Sequence, residues 1–118
     1  MRIDFFCNDG SPIGIVPEDL YGRGVGGSEL ALITLVEELG RRGHDVWVYN
    51  NPRKPVDGPA KFAHQSAFYD GHHSDVFVLF RSPNPALHRA DTDHRVFWSL
   101  DQQTVGNYAS EIYGRYQP

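Results

Sequence analysis

Cysteine is nearly missing from this sequence: Cys7 is the only one among 118 residues. No intramolecular disulfide is possible, which excludes a small fold stapled by cross-links. Lysine is almost as scarce, with Lys54 and Lys61 alone, and the net charge is −4. Without a basic stripe to neutralise phosphates, nucleic acid is not expected as a partner. Long apolar runs are lacking too, and the chain opens directly on Arg2-Ile3-Asp4-Phe5-Phe6. Neither a transmembrane segment nor a signal peptide is expected, and a cytoplasmic location follows as an expectation. Internal repeats and low-complexity segments are also wanting.

What remains is the composition of a globular protein, with 40% hydrophobic and 22% charged residues. The length suits a single domain over residues 1–118. Such a chain buries roughly two-thirds of its unfolded surface, enough for one core but not for two lobes around a cleft.

Strand-like and helix-like pieces alternate, which predicts an α/β fold with an open, mostly parallel sheet. Ile3 to Cys7 is a short apolar run and reads as a buried first strand. Asn8 to Gly26 is a long Gly- and Pro-containing loop, of a length that is usually either functional or disordered. Leu32, Leu35, Val36 and Leu39 then fall at i, i+3, i+4 and i+7, the stripe of an amphipathic helix. Ser28 is placed to cap it, Glu29 and Arg41-Arg42 complement its dipole, and Gly43 suits a left-handed terminator. The helix is predicted from about Ser28 to Arg42. Val46 to Tyr49 follows at once as a second strand, making a right-handed crossover. A Pro-rich loop over Asn50 to Pro59 comes next. Phe62 to Phe68 gives a third strand, Asp75 to Phe80 a fourth and Arg95 to Leu100 a fifth, with a short helix at Asn84 to Arg89. Asp101 to Pro118 shows no clear pattern. By analogy with doubly wound folds the expected strand order is 3-2-1-4-5.

Gly22-Arg23-Gly24-Val25-Gly26-Gly27 spells G-x-G-x-x-G. A dinucleotide site needs that motif directly after the first strand and an acidic residue closing the second. Here about fifteen residues intervene, and the second strand ends in Asn50-Asn51. The phosphate-loop signature is absent, since no lysine precedes Lys54. Gly26-Gly27 nevertheless opens a helix, where free amides and the positive dipole end favour an anion. The same glycines equally suit a tight turn into the helix.

Gly26-Gly27-Ser28-Glu29-Leu30-Ala31 at the helix start, with Leu39-Gly40-Arg41-Arg42-Gly43-His44-Asp45-Val46 at its end, resembles the large retaining family of GT-B glycosyltransferases. The segments Asp75 to Asn84 and Arg95 to Asp101 resemble that family's next landmarks. The resemblance implies a Rossmann-like N-terminal domain, here incomplete, that holds the acceptor while its glycine loop approaches the donor diphosphate. It implies that the donor-binding domain, with its pair of glutamates, lies outside this chain. It further implies a nucleotide-sugar donor, no cofactor and no metal.

Gly26, Gly27, Ser28, Glu29 and Arg81 are thus the candidate substrate-binding residues and Asp101 the candidate catalytic one. Glu29 equally suits a plain dipole complement, Arg81 a solvated loop position and Asp101 a turn. Family members often carry a histidine where this chain has Leu100-Asp101, so no histidine chemistry is carried over. His72-His73 lacks a third metal ligand at recognisable spacing and reads as a turn. Cys7 and the aromatics Trp47, Tyr49, Phe77, Phe80, Phe97 and Trp98 read as core. The rival to an enzyme is a binding module that kept the half-fold, exposing apolar surface that favours a homo-oligomer or a complementing domain.

Overall fold

The computed structural model describes residues 1–7, 16–18, 27–52, 56–68, 73–80 and 90–98. Within them a six-stranded mixed sheet carries one α-helix. The strands are β1 (Arg2–Cys7), β2 (Asp45–Asn50), β3 (Val56–Asp57), β4 (Lys61–His64), β5 (His73–Phe80) and β6 (Asp91–Trp98), and the helix is α1 (Gly27–Arg41). Their order is β3-β4-β2-β1-β5-β6. All neighbours pair in parallel except β3 with β4. The expected order of five strands is therefore present, extended by one antiparallel edge strand that the loop expectation missed. The Asp57-Gly58 pair marks its turn back into β4.

β1 is buried along five consecutive residues, as a central parallel strand covered on both faces should be. Residues at alternate positions supply two cores. One face packs Ile3, Phe5, Val46, Val48, Val78 and Phe80 against Leu32, Ile33 and Val36 of α1. The other gathers Phe6, Tyr49, Phe77, Leu79 and Phe97, with Phe68 packed on them. Phe68 meets Phe6, Tyr49 and Phe77 at ring-centroid distances of 5.5, 5.2 and 5.7 Å. Cys7 is buried, as expected.

The helix departs from its predicted stripe at one place. Leu32 and Val36 are fully buried, but Leu35 is 40% exposed and Ile33 takes its place in the core. Leu35 instead overhangs an apolar groove of about 470 Å³ that also touches Phe5, Val76, Val78, Val96 and Trp98. Ser28 is the second helical residue rather than the cap, because the helix begins one residue earlier. At the other end the terminator is as predicted. Gly43 has φ of +95°, its N–H donates to the carbonyl of Gly40, and that of His44 donates to Leu39. Those two bonds form a Schellman motif, which only a residue tolerant of positive φ closes without strain.

Several strands have moved bounds. The third ends at His64 and continues as a 3-10 turn, Gln65–Ala67, because the His64 side chain accepts the amide of Ser66. β6 starts at Asp91, four residues before its predicted start. As the outer parallel strand it needs few buried side chains, so its polar first half carries no apolar signal. The predicted short helix at Asn84 to Arg89 lies outside the described residues. So does the loop from Asn8 to Gly26, apart from a turn at Val16–Glu18 with Val16 buried.

Candidate functional site

Five parallel strands end on one edge of the sheet. The registers Cys7↔Phe80, Phe80↔Trp98 and Asn50↔His64 set these strand ends level. The pairing of Phe6 with Tyr49 brings Cys7 level with Asn50. The chain leaves β1 toward β2 on one side, whereas β5 and β6 lie on the other. Open α/β sheets bind ligands at the carboxyl edge where the order reverses, because diverging connections leave a crevice there. In this chain that point lies between Cys7 and Phe80.

Helix α1 runs antiparallel to β1 and β2, so its first turn stands at the same edge. Gly27 is its first residue and is exposed. A Cβ added to Gly27 would meet no described atom within 4 Å. Among the described residues, nothing there needs glycine for its own packing. Glu29 sits in the first turn. Ser28 is in the helix, and its side chain lies outside the described residues. Gly26, Arg81 and Asp101 lie outside them as well. Gly26 precedes Gly27, Arg81 follows Phe80, and Asp101 comes three residues after Trp98 in the chain.

Polar groups not singled out from the sequence also line this edge. Asn50 is fully buried at the end of β2. Gln65 donates from Nε2 to the carbonyl of Cys7, tying the turn after β4 to the end of β1. His64 Nδ1 accepts the Ser66 amide at 3.1 Å and meets the Ser66 hydroxyl at 2.8 Å. The run His64-Gln65-Ser66 was the available signal, hidden inside what read as a continuous strand.

The opposite edge is charged. Arg2 bonds Asp4 at 2.7 Å and the hydroxyl of Tyr49 at 3.0 Å, with its guanidinium 5.0 Å from the Trp47 ring centre. Burial opposes the Arg2 charge, but Asp4 and its neighbours outweigh it and raise the pKa. Tyr49 is pushed up, first by burial and then by Asp4. Nearby, His73 Nδ1 lies 3.2 Å from Asp91 and its Nε2 3.4 Å from Asp93. The hydrogen bond to Asp91, foremost, raises the His73 pKa. His73, Asp75 and Asp93 bring one potential ligand atom each within 4.8 Å of the others. The expectation that His73 sits in a turn without further ligands is thus corrected: it is the first residue of β5. The sequence cue was a His-x-Asp pair on one strand facing Asp-x-Asp on the next.

Searches against protein-family models, curated proteins and solved structures return no match. No helix among the described residues is long and apolar enough to cross a membrane. The functional reading therefore rests on the residues and their arrangement.

Proposed function

We propose that this chain is the acceptor-side, Rossmann-like domain of a GT-B glycosyltransferase. Its role is in moving a sugar from a nucleotide-activated donor to an acceptor, with retention at the anomeric carbon. One observation carries the reading: the glycine-led start of α1 stands at the carboxyl edge, beside the point where the strand order reverses. Free amides and the dipole end there suit a donor diphosphate. Stabilising a departing diphosphate is electrostatic work, and preorganised amides do it without reorganising. Gly26, Gly27, Ser28 and Glu29 would flank the diphosphate, with Arg81 a further contact and Asp101 the catalytic candidate. The doubly wound architecture is part of this proposal, supported by the order of the parallel strands.

A second reading, a non-catalytic binding module, is favoured by the apolar groove beside Leu35. Substitution at Gly27 separates the two. In a protein that contains this chain and its donor-binding partner domain, Gly27→Val should lower transfer about ten- to a hundred-fold, the effect of losing roughly 1.4–2.7 kcal/mol of transition-state contact. The melting temperature should hold, since the added side chain meets no described atom. Unchanged transfer by a folded Gly27→Val protein would remove the diphosphate role.

A further inference from the structure

We propose that His73, Asp75 and Asp93 form a binding site for a divalent transition-metal ion at the amino edge of the sheet. The site is independent of the sugar-transfer reading and lies at the other end of the strands.

His73 and Asp75 are two residues apart on β5, so their side chains leave the same face of the sheet. The registers Ser74↔Thr92 and Val76↔His94 set Asp93 beside Asp75 on the neighbouring strand. Three ligand atoms of two kinds, imidazole nitrogen and carboxylate oxygen, thus converge from two paired strands rather than from loose loops. His73 Nε2 and Asp93 Oδ1 are 3.4 Å apart. Ligand atoms on a tetrahedral zinc ion with bonds of ~2.0–2.1 Å stand roughly 3.4 Å apart. That pair already has the separation of two ligands on one ion.

Asp91 supplies the outer part of the arrangement. Its carboxylate lies 3.2 Å from His73 Nδ1, where it accepts that N–H and fixes the tautomer. Metal-bound histidines are commonly held by a carboxylate in this way. Around one imidazole stand three aspartates, Asp75, Asp91 and Asp93. The nearest described arginines are engaged elsewhere: Arg2 with Asp4 and Tyr49, and Arg95 with the carbonyl of Ala90. Asp75 Oδ2 accepts the backbone amide of Arg2 at 2.7 Å, which orients that carboxylate. Mixed nitrogen and oxygen ligands suit zinc and its first-row neighbours better than magnesium. His73 and Asp93 are about half exposed, so water completes the coordination.

The test is calorimetric titration of the chelator-treated chain with zinc chloride, and with magnesium chloride for contrast. One zinc ion should bind per chain, and magnesium should bind at least tenfold more weakly. His73→Gln and Asp93→Asn should each weaken zinc binding tenfold or more. Asp91→Asn removes no ligand but should still weaken it about tenfold, as loss of an outer carboxylate does. His94→Gln, on the opposite face of β6, should change nothing. Cobalt(II) titration of the unmutated chain gives a second readout, since the His73 ring resonances should shift or broaden first among the histidines. Equal zinc affinity in wild type and His73→Gln, loss of binding in His94→Gln instead, or cobalt effects centred on another histidine would overturn the site.

Discussion

A methyl group added to Gly40 would fall far inside van der Waals contact with the carbonyl group of Pro59. The obstacle is backbone, which cannot step aside as a flexible side chain would. Replacing a helical glycine by alanine ordinarily stabilises by up to about 1 kcal/mol, but overpacking costs about 1–3 kcal/mol. Here the collision decides the sign. Gly40→Ala should lower stability by about 1–3 kcal/mol, whereas Gly27→Ala should be neutral or slightly stabilising. Urea unfolding midpoints of the two variants check this, and a stabilised Gly40→Ala protein would mean that α1 does not approach Pro59 so closely. Asp45 gives a second test at this scale. Burial alone would raise its pKa, but Lys61 at 3.1 Å, Arg2 and the indole N–H of Trp47 together lower it. A carboxylate with a depressed folded pKa stabilises above its ordinary value of ~3.9, and that contribution fades as pH falls through the folded value. Asp45 is half exposed, so the contribution is at most about 1 kcal/mol. Asp45→Asn should therefore cost a little stability at pH 7 and nothing near pH 2. A gap that widens in acid would contradict the assignment.

At the level of elements, α1 carries the sharpest contrast. Leu32 is fully buried against the sheet, while Leu35, one turn on, is 40% exposed over the apolar groove. Leu32→Ala should cost about 2–5 kcal/mol, the range for truncating a buried leucine. Leu35→Gln should stay within about 1 kcal/mol of wild type, near the behaviour of surface substitutions. Chemical denaturation of both proteins measures the difference, and equal losses would place the groove inside the core. The periodicity of the helix was legible because the recurrence of Leu32, Leu35, Val36 and Leu39 survives one misassigned position. Its end was legible because Gly43 must adopt positive φ. The buried strands β1, β2 and β5 were legible as apolar runs, the pairing of β1 with β2 followed from the short joint between α1 and β2, and the rest of the order came from analogy with doubly wound folds. Other features left weaker traces. β3 is two residues long, below the length at which any pattern forms. The first half of β6 is polar because it lies at the outer edge of the parallel strands. The His73 site depends on register between strands 18 residues apart, His73 with Asp91, and register is not written in local spacing.

The described residues provide one sheet and one helix whose first turn stands at the carboxyl edge, and among them no second sheet closes a cleft. Among the candidate residues, Gly27, Ser28 and Glu29 stand on the first turn of α1. If the proposed function holds, the donor must be gripped from two sides, and this chain supplies only the side that faces the diphosphate. Catalysis by differential binding then fails in the isolated chain, because contacts to the nucleotide and sugar that strengthen in the transition state are missing. The purified 118-residue chain, mixed with nucleotide sugars and candidate acceptors, should release no nucleotide above the uncatalysed rate. Adding a donor-binding GT-B domain, joined in the same polypeptide, should bring transfer that Gly27→Val then reduces about ten- to a hundred-fold. Coupled nucleotide-release assays measure both. Turnover by the isolated chain, at a rate proportional to its concentration and lost in Gly27→Val, would show that the edge between Cys7 and Phe80 acts alone and that no second domain is required.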